Sequence, residues 1–264
     1  MLQVDNVSFS YGTRTGGAAR VLNNASFDVR RGTILGLLGP NGSGKTTLLR
    51  LMAGTLSPLG GRVTIDQHDV AHLSRRDLAR KIAVVPQETH TTFDFTVLDI
   101  VLMGRYPHLG PFELEDARDL AIARNALAAV GTGHLAGRPF GTLSGGEKQR
   151  VVIASALAQA SDALLLDEPT ASLDLGYQIE IAALLTRLNQ ERGTTMVIST
   201  HDLNLAAALC TEVVLLRDGR VLAAGDTAGV LTVANVRALY GVEADVQFHA
   251  RAGHVTVVPI ARAH

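Results

Sequence analysis

The sequence contains no tryptophan and only one cysteine, and aromatic residues make up 4% of its 264 residues. A single cysteine cannot form an intrachain disulfide, and the apolar helical pattern before Cys210 predicts that this thiol is a buried small side chain. Lysine and arginine number 24 and aspartate and glutamate 25, so the net charge is −1. No global positive field therefore favours nucleic acid as a partner. The 47% hydrophobic content suits a globular α/β protein.

Long hydrophobic runs are also missing. No stretch reaches the roughly 18 uninterrupted apolar residues that a transmembrane helix needs. The best candidate, 151–166, is interrupted by Gln159, Ser161 and Asp162. The first residues, Met1–Asp5, have the pattern of a strand and lack the basic and apolar segments of a secretory signal. We therefore expect a cytoplasmic chain that does not itself cross a membrane.

Short apolar runs alternate with helical patterns along much of the chain. The predicted strands are Leu2–Phe9, Ser26–Val29, Ile34–Leu38, Arg62–Ile65, Ile82–Val85, Ala163–Asp167, Met196–Ser199 and Val213–Leu216. The predicted helices are Lys45–Ala53, Val97–Met103, Glu115–Val130, Glu147–Ala160 and Val233–Tyr240. This alternation indicates a largely parallel sheet flanked by helices.

We predict that residues 1–264 form a single domain. Between about 96 and 160 the helical patterns have no strand between them, which predicts a helical subdomain inserted into the core. A C-terminal extension from about 225 to 264 should contain a short helix and a β element that ends at Pro259. A glycine-rich loop at Thr13–Ala19 has no assigned role.

A glycine-rich segment follows the apolar run Ile34–Leu38. It consists of Gly39, Pro40, Asn41, Gly42, Ser43, Gly44, Lys45, Thr46 and Thr47. This segment fits the pattern G-x-x-x-x-G-K-[ST], whose backbone N–H groups surround phosphates. Gly42 and Gly44 let the backbone wrap the β-phosphate, Lys45 supplies a cation for the β and γ oxygens, and the Thr46 hydroxyl can bind Mg²⁺. The segment therefore predicts a nucleotide site.

Polar residues follow two more apolar runs. Asp167 ends the run Ala163–Asp167, where a second Mg²⁺ ligand is expected, and Glu168 is the candidate base that polarises the attacking water. Two carboxylates that merely end a strand are the alternative interpretation. His201 follows another apolar run, at the carboxyl end where open α/β sheets bind ligands, although a lone histidine can also be structural.

A second candidate anion site lies at the start of a predicted helix. Leu143, Ser144, Gly145, Gly146 and Glu147 offer a hydroxyl and bare backbone N–H groups there. Two separate phosphate-contacting elements on one chain suggest ATP held between two copies of the chain. Together with the glycine-rich segment and Leu164–Glu168, this sequence resembles the ATP-binding cassette (ABC) family of transport ATPases over nearly its whole length.

The resemblance implies an α/β fold with a P-loop NTPase (RecA-like), mostly parallel sheet core, an N-terminal antiparallel β subdomain and an inserted helical subdomain. It implies that Gln87 contributes to the Mg²⁺ site and joins the metal to the helical subdomain, and that His201 reaches the γ-phosphate. Tyr11 would stack on adenine, although taken alone it is more typical of a packing residue. The run Ser172-Leu173-Asp174 matches the family loop that contacts the opposite subunit. Glu147 departs from the family pattern, and we expect this to leave the Ser144–Gly146 site untouched.

The resemblance also implies partners. A second copy of the chain would complete a homodimer with two ATP·Mg²⁺, and transmembrane permease subunits would form the pore, with no role for nucleic acid. A periplasmic or lipid-anchored substrate-binding protein would act indirectly. The chain would then lie at the cytoplasmic face of the membrane, bound through the permease.

The segment Met103–Gly110 resembles the ATPases of importers for ferric siderophores, haem and cobalamin, and so does Leu239–Val242. We expect 104–110 to dock on the permease with Arg105 and Tyr106 as anchors, since both residue types are favoured at interfaces. A solvated loop after a helix is the alternative. A ferric siderophore is the favoured cargo.

Other functions stay open. A soluble ABC ATPase acting on ribosomes or DNA usually has two cassettes or a long coiled coil, and this chain has neither pattern. A regulatory module without turnover conflicts with the presence of Glu168 and His201. An ATPase of an importer or exporter for another substrate is the remaining alternative.

Overall fold

The computed structural model describes residues 1–12, 20–87, 94–171 and 173–263. The predicted loop Thr13–Ala19 lies outside the described residues. The described strands are β1 (Leu2–Phe9), β2 (Leu22–Val29), β3 (Ile34–Leu38), β4 (Gly60–Ile65), β5 (His68–Asp69), β6 (Ile82–Val85), β7 (Ala163–Asp167), β8 (Thr195–Thr200), β9 (Glu212–Arg217), β10 (Arg220–Asp226), β11 (Val242–His249) and β12 (His254–Arg262). The α-helices are α1 (Lys45–Met52), α2 (Arg75–Lys81), α3 (Val97–Leu102), α4 (Ala117–Ala129), α5 (Gly145–Ala158), α6 (Leu175–Arg192), α7 (Leu203–Leu209), α8 (Thr227–Val230) and α9 (Val233–Tyr240).

The described residues form two compact units. The first contains Met1–Leu73 and Asn189–His264, and the second contains Ser74–Leu188. In the first unit, β2, β1, β4 and β5 form an antiparallel sheet in that order. No helix in the described ranges is long and apolar enough to cross a membrane.

The second sheet of the first unit is built around β3. This strand runs parallel to β8 on one side and to β9 on the other, and β10 is antiparallel to β9. Every residue of β3 is buried, which explains why its sequence is continuously apolar. The predicted bounds of β3, β6 and β7 are all confirmed.

The C-terminal part of the first unit consists of α9 and the antiparallel hairpin of β11 and β12. The Thr232 side chain caps α9, and Gly241 ends it in the left-handed conformation with φ 67°. The predicted helix Val233–Tyr240 is therefore confirmed. The β element continues to Arg262 and does not end at Pro259, because the proline occupies a ladder position opposite Ala244 in the hairpin.

The second unit combines the parallel pair of β6 and β7 with α2 to α6. Its interior is formed by side chains such as Val101, Leu127 and Ile153, all fully buried. The helix predicted from Glu147 begins at Gly145, because Ser144 accepts a hydrogen bond from the Glu147 N–H and fixes the first turn. Residues 103–108, directly after α3, form a 3₁₀ helix.

Candidate functional site

The phosphate loop, residues 39–47, connects β3 to the first turn of α1. Gly42 and Gly44 have φ of 82° and 106°, a region that side chains disfavour and glycine readily adopts. A Cβ at Gly39 would overlap the carbonyl oxygen of Leu216, and one at Gly44 would crowd Leu22. Glycine is therefore required here by backbone conformation and by close packing.

Lys45 lies within this loop. Its side chain is only 6% exposed, and its ammonium group donates to the carbonyl oxygens of Gly39 at 2.8 Å and Pro40 at 3.2 Å. The Ser43 hydroxyl is buried and has no hydrogen-bond partner among the described residues. A buried cation, an unsatisfied hydroxyl and the N–H groups at a helix start together suit a phosphate.

Tyr11 lies beside this loop. Its hydroxyl is 3.1 Å from the Thr47 hydroxyl, and its ring packs edge-on against Phe9 with centroids 5.0 Å apart. The residue is 51% exposed. The ring is therefore fixed next to the phosphate loop and remains accessible for stacking, as the sequence prediction requires.

His201 and the phosphate loop lie at the same edge of the sheet. In the parallel pair of β3 and β8, Leu38 is opposite Thr200, so Gly39 and His201 each follow a paired residue. Asp202 then caps α7 by accepting from the N–H groups of Asn204 and Leu205. The structure thus brings His201 and the phosphate loop to the ends of neighbouring strands.

In the second unit, Gln87 and Asp167 lie near the carboxyl ends of β6 and β7. These strands are parallel, with Val85 opposite Leu166, so Gln87 and Asp167 lie at one edge. Glu168 follows with φ 46°, a left-handed conformation that is uncommon for a residue with a side chain. Its carbonyl accepts from the Ala171 N–H at 3.0 Å, which closes a tight turn.

The segment 144–146, here called the signature segment, begins α5. The Ser144 hydroxyl accepts from the Glu147 N–H at 3.3 Å, and the Glu147 carboxylate accepts from the Ser144 N–H at 2.8 Å. These hydrogen bonds lower the pKa of Glu147 below its usual value of 4.5. The Glu147 carboxylate thus helps to cap the segment, and the expectation that this departure from the family pattern leaves the Ser144–Gly146 site untouched stays a prediction.

The two glycines of the signature segment differ in their surroundings. Gly145 is exposed, whereas Gly146 is buried, and a Cβ at Gly146 would overlap the ring of Tyr177 on α6. Sequence reasoning missed Tyr177, and no local pattern links it to the signature segment. Asp174 is exposed directly before α6, and the neighbouring Ser172 lies outside the described residues.

The predicted docking segment 104–110 is held inside the second unit. Arg105 is 6% exposed, forms an ion pair with Asp119 at 2.9 Å and donates to the Ala158 carbonyl oxygen at 2.7 Å. The prediction that Arg105 anchors a partner is therefore wrong, because its guanidinium is used within the unit. Tyr106, in contrast, is 58% exposed.

Neighbouring residues of the docking segment also serve internal packing. A Cβ at Gly104 would overlap the Ser155 carbonyl oxygen on α5. Arg76 and Arg80 on α2 both donate to the Pro107 carbonyl oxygen at 2.9 Å. The segment is therefore a junction between α2, α4 and α5.

Cys210 is buried, and burial raises the pKa of its thiol to about 12. A Cβ at Gly36 on β3 would lie within 2.9 Å of its sulfur. The prediction of a buried, unreactive side chain is confirmed.

This combination of a phosphate loop, two strand-end carboxylates and a second glycine-rich helix start defines an ATP-binding cassette. A family model for ABC transporters matches residues 22–171, and the chain belongs to this family. The solved structure of a metal-chelate type ABC transporter in an inward-facing conformation matches with a TM-score of 0.85 and 34% identity, over 98% of this chain and 97% of that chain. A dimeric ATP-binding cassette with bound ADP and phosphate matches with a TM-score of 0.75 and 30% identity, over 86% of this chain and 99% of that chain. The predicted P-loop NTPase fold class is confirmed.

Two relatives of similar sequence are import ATP-binding proteins. A cobalamin import ATP-binding protein of Halobacterium salinarum is 43% identical over 241 residues, which cover 91% of this chain. The chain spans 60% of the length of that relative. A hemin import ATP-binding protein of Bordetella bronchiseptica is 43% identical over 241 residues, which cover 88% of this chain and 91% of that protein.

Proposed function

We propose that this chain is the ATP-hydrolysing subunit of an ABC importer. The observation that carries the proposal is the phosphate loop, in which Lys45 is buried and the Ser43 hydroxyl has no partner among the described residues. These groups suit the β- and γ-phosphates of ATP. Thr46 and Thr47 lie in the first turn of α1, and the Tyr11 ring beside Thr47 would stack on the adenine.

Magnesium would be held by the Thr46 hydroxyl, Gln87 and Asp167, whose oxygen atoms are the ligands this cation prefers. When bound, the cation would neutralise charge on the β and γ oxygens. Asp167 lies at the end of β7, and the tight turn at Glu168 directs the chain away from the strand.

Glu168 is the proposed general base. Its carboxylate would accept a proton from the water that attacks the γ-phosphorus, and the hydrolysis products are ADP and phosphate. The strained backbone at Glu168, with φ 46°, supports a site role, since such conformations often occur at functional positions. His201 would contact the γ-phosphate from the first unit.

A second copy of the chain would complete the site. Ser144, Gly145 and Gly146 would contact the γ-phosphate of ATP held by the other copy, and Asp174 would contact that copy. Exposure of Ser144, Gly145 and Asp174 supports this role. A structural neighbour is a dimeric cassette with bound ADP and phosphate, which supports a second copy here. ATP-driven closure of the two copies would move the permease between its access states.

The cargo would be a metal chelate of the ferric siderophore, haem or cobalamin type. The cobalamin and hemin import relatives and the metal-chelate type transporter support this class. A separate substrate-binding protein would deliver the cargo to the permease, and this chain would lie on the cytoplasmic face of the membrane.

We propose a different permease contact, close to Arg105 in sequence. Arg105 is buried, but Tyr106, Phe112 and Leu114 are exposed apolar side chains of the second unit. Exposed apolar patches are typical of interaction surfaces, and these three residues lie close together in sequence. We therefore assign the permease contact to Tyr106 with Phe112 and Leu114.

Reconstitution tests this function. The tagged chain is purified with the membrane protein that binds it, placed in liposomes, and offered ferric siderophore, haem, cobalamin, phosphate or an amino acid with matching binding proteins. We expect ATP-dependent uptake of a chelate. Uptake of only phosphate or amino acid would contradict the cargo class, and uptake that does not need ATP hydrolysis would contradict the ATPase role.

A further inference from the structure

The C-terminal helix α9 contacts the main chain of His201. The hydroxyl of Tyr240, the last residue of α9, donates to the His201 carbonyl oxygen at 3.1 Å. Gly241 directly afterwards ends the helix, and its N–H donates to the Arg237 carbonyl oxygen at 2.8 Å. The Tyr240 hydroxyl at the end of α9 therefore contacts the short connection between β8 and α7.

The hairpin of β11 and β12 contacts the same connection from another side. The Asn204 side chain donates to the Val257 carbonyl oxygen at 3.1 Å and accepts from the Val257 N–H at 2.8 Å. This pair of hydrogen bonds ties the start of α7 to β12. Leu203 packs against the apolar cluster of Val236, Ala244 and Val257.

Packing alone does not fix His201 in this arrangement. A cavity of about 310 Å³ is lined by His201, Asn204, Tyr240 and Val257 together with neighbouring residues. The cavity leaves space beside the main chain, and hydrogen bonds are among the contacts that hold this connection. The Tyr240 hydroxyl is the donor that reaches the His201 carbonyl across this region.

The position of His201 explains why one such bond matters. Thr200 is fixed by the parallel ladder with β3, and Asp202 is fixed as the cap of α7. His201 lies between these two fixed residues, and its carbonyl belongs to the peptide plane that leads into Asp202. The Asp202 N–H of the same plane donates to the Thr200 hydroxyl at 3.1 Å, and the Tyr240 hydroxyl donates to its oxygen. The two bonds together restrict the rotation of this plane, so loss of the Tyr240 bond loosens the backbone that carries the imidazole.

We propose that the C-terminal segment 233–262 positions the histidine of the ATP site and that Tyr240 is a positioning residue for hydrolysis. The proposal rests on the role in hydrolysis proposed above for His201. It gives a function to the C-terminal extension, to which the sequence pattern assigned none. It also gives roles to two residues of the segment Leu239–Val242. Tyr240 contacts His201, and Gly241 permits the turn that ends α9.

The test compares Tyr240→Phe with wild type in the full chain, at a protein concentration that supports ATPase activity. The change removes a single hydroxyl. We expect kcat to fall roughly 5- to 50-fold, since a small misplacement of a group at an active site can cost up to about 100-fold. The KM for ATP and the thermal unfolding midpoint should stay at their wild-type values. Asn204→Asp, which loses the donor to Val257, should lower kcat in the same direction.

Asn235→Ala is the matched control. It removes a side-chain hydrogen bond from α9 to the Val230 carbonyl oxygen at 2.8 Å without touching His201. We expect wild-type kcat for this variant. An equal loss of kcat in Asn235→Ala and Tyr240→Phe, accompanied by lower unfolding midpoints, would show a general structural role and overturn the proposal.

His201→Ala separates the proposal from the function on which it rests. If His201→Ala hydrolyses ATP like wild type, the proposed role of His201 is wrong. If His201→Ala loses hydrolysis but Tyr240→Phe keeps wild-type kcat, the positioning role is wrong and the ATPase role stands. Loss of kcat in both variants, with the KM for ATP unchanged in Tyr240→Phe, supports the proposal.

Discussion

The phosphate loop of the first unit and the helices of the second unit are held in place by different kinds of interaction. Backbone geometry shapes the loop: Gly42 and Gly44 take positive φ angles, and Lys45 donates to two loop carbonyls. In the second unit, charged side chains link the helices in addition to the apolar interior. Arg105 pairs with Asp119 at 2.9 Å, and Arg150 pairs with Glu180 at 2.5 Å.

The start of α1 differs in the same way from the starts of three helices of the second unit. In the second unit α3, α4 and α5 each begin with a capping box, in which a carboxylate three residues into the helix accepts from the backbone of the cap. In the first unit α1 begins at Gly44 without a side-chain cap. The comparison teaches that the phosphate loop is determined by backbone conformation and close packing, whereas the signature segment is capped by an ionised side chain, Glu147.

The largest expected effect is on the hydrolysis rate. It allows the phosphate loop and the signature segment to be tested separately in one chain. Glu168→Gln should lower the hydrolysis rate by roughly 10²- to 10⁴-fold, because the amide keeps the shape of the carboxylate but cannot accept the proton. ATP binding should persist, since the phosphate loop is unchanged. Size-exclusion chromatography with and without ATP should then show an ATP-dependent dimer. Near-normal hydrolysis would exclude Glu168 as the base.

Further changes in the Glu168→Gln chain serve as controls. Gly145→Asp places a carboxylate at the exposed glycine of the signature segment, so the dimer should disappear while ATP binding persists. Lys45→Ala should abolish both, because it removes the cation from the phosphate loop. A stable ATP-dependent dimer in the Gly145→Asp chain would contradict a shared site.

The next effect concerns the stability of the second unit. Arg105→Met should lower the free energy of unfolding by about 3–5 kcal/mol, because removal of one partner leaves the charge of Asp119 buried and uncompensated. Urea unfolding followed by circular dichroism measures this loss. The second change Asp119→Leu in the same chain should recover part of it.

Tyr106→Ala is the matched control, one residue further along. It truncates an exposed side chain, so the unfolding curve should stay at the wild-type position, and binding to the co-purified permease should weaken. An Arg105→Met chain that unfolds like wild type but fails to bind the permease would restore the original assignment of Arg105 as an anchor.

The smallest effect is the pH dependence of the signature segment. The pKa of Glu147 is lowered by its hydrogen bonds with Ser144, so the ionised form stabilises the folded chain. This contribution is fully present above the usual pKa of 4.5 and is lost as the pH falls through the lower value of the folded chain.

Glu147→Gln should therefore unfold at a lower temperature than wild type at neutral pH, and the difference should shrink as the pH falls below 4.5. Differential scanning calorimetry across this pH range measures it. Glu191→Gln, at an exposed residue of α6, is the control. A difference that does not change with pH would mean that the carboxylate does not support the segment through its charge.

The sequence predicted the parts that depend on neighbouring residues. Continuous apolar runs gave the bounds of β3, β6 and β7. β3 is buried at every residue, as a strand covered on both faces requires, whereas Val84 of β6 is exposed. The phosphate loop follows from glycine conformation and its place between strand and helix. The positions of Gln87, Asp167 and His201 at strand ends follow from the parallel topology.

Contacts between distant residues could not be predicted in this way. Arg105 and Asp119 lie on separate elements, and nothing near Arg105 shows that its guanidinium is buried. The helix α2 was missed because it buries only Leu78, which leaves no apolar stripe in its sequence. The contacts of Tyr177 with Gly146 and of Tyr240 with His201 join residues that are distant in sequence and form only in the folded chain.

The buried hydroxyl of Ser43 has a thermodynamic consequence for the whole chain. A buried polar group without a partner destabilises a fold by about 1–3 kcal/mol, and a phosphate oxygen can satisfy this hydroxyl. Nucleotide binding and folding are therefore linked, and ligand at 100 times its Kd adds about 2.7 kcal/mol to the free energy of unfolding. A higher ATP concentration would then increase the folded fraction of the chain as well as the occupancy of the site.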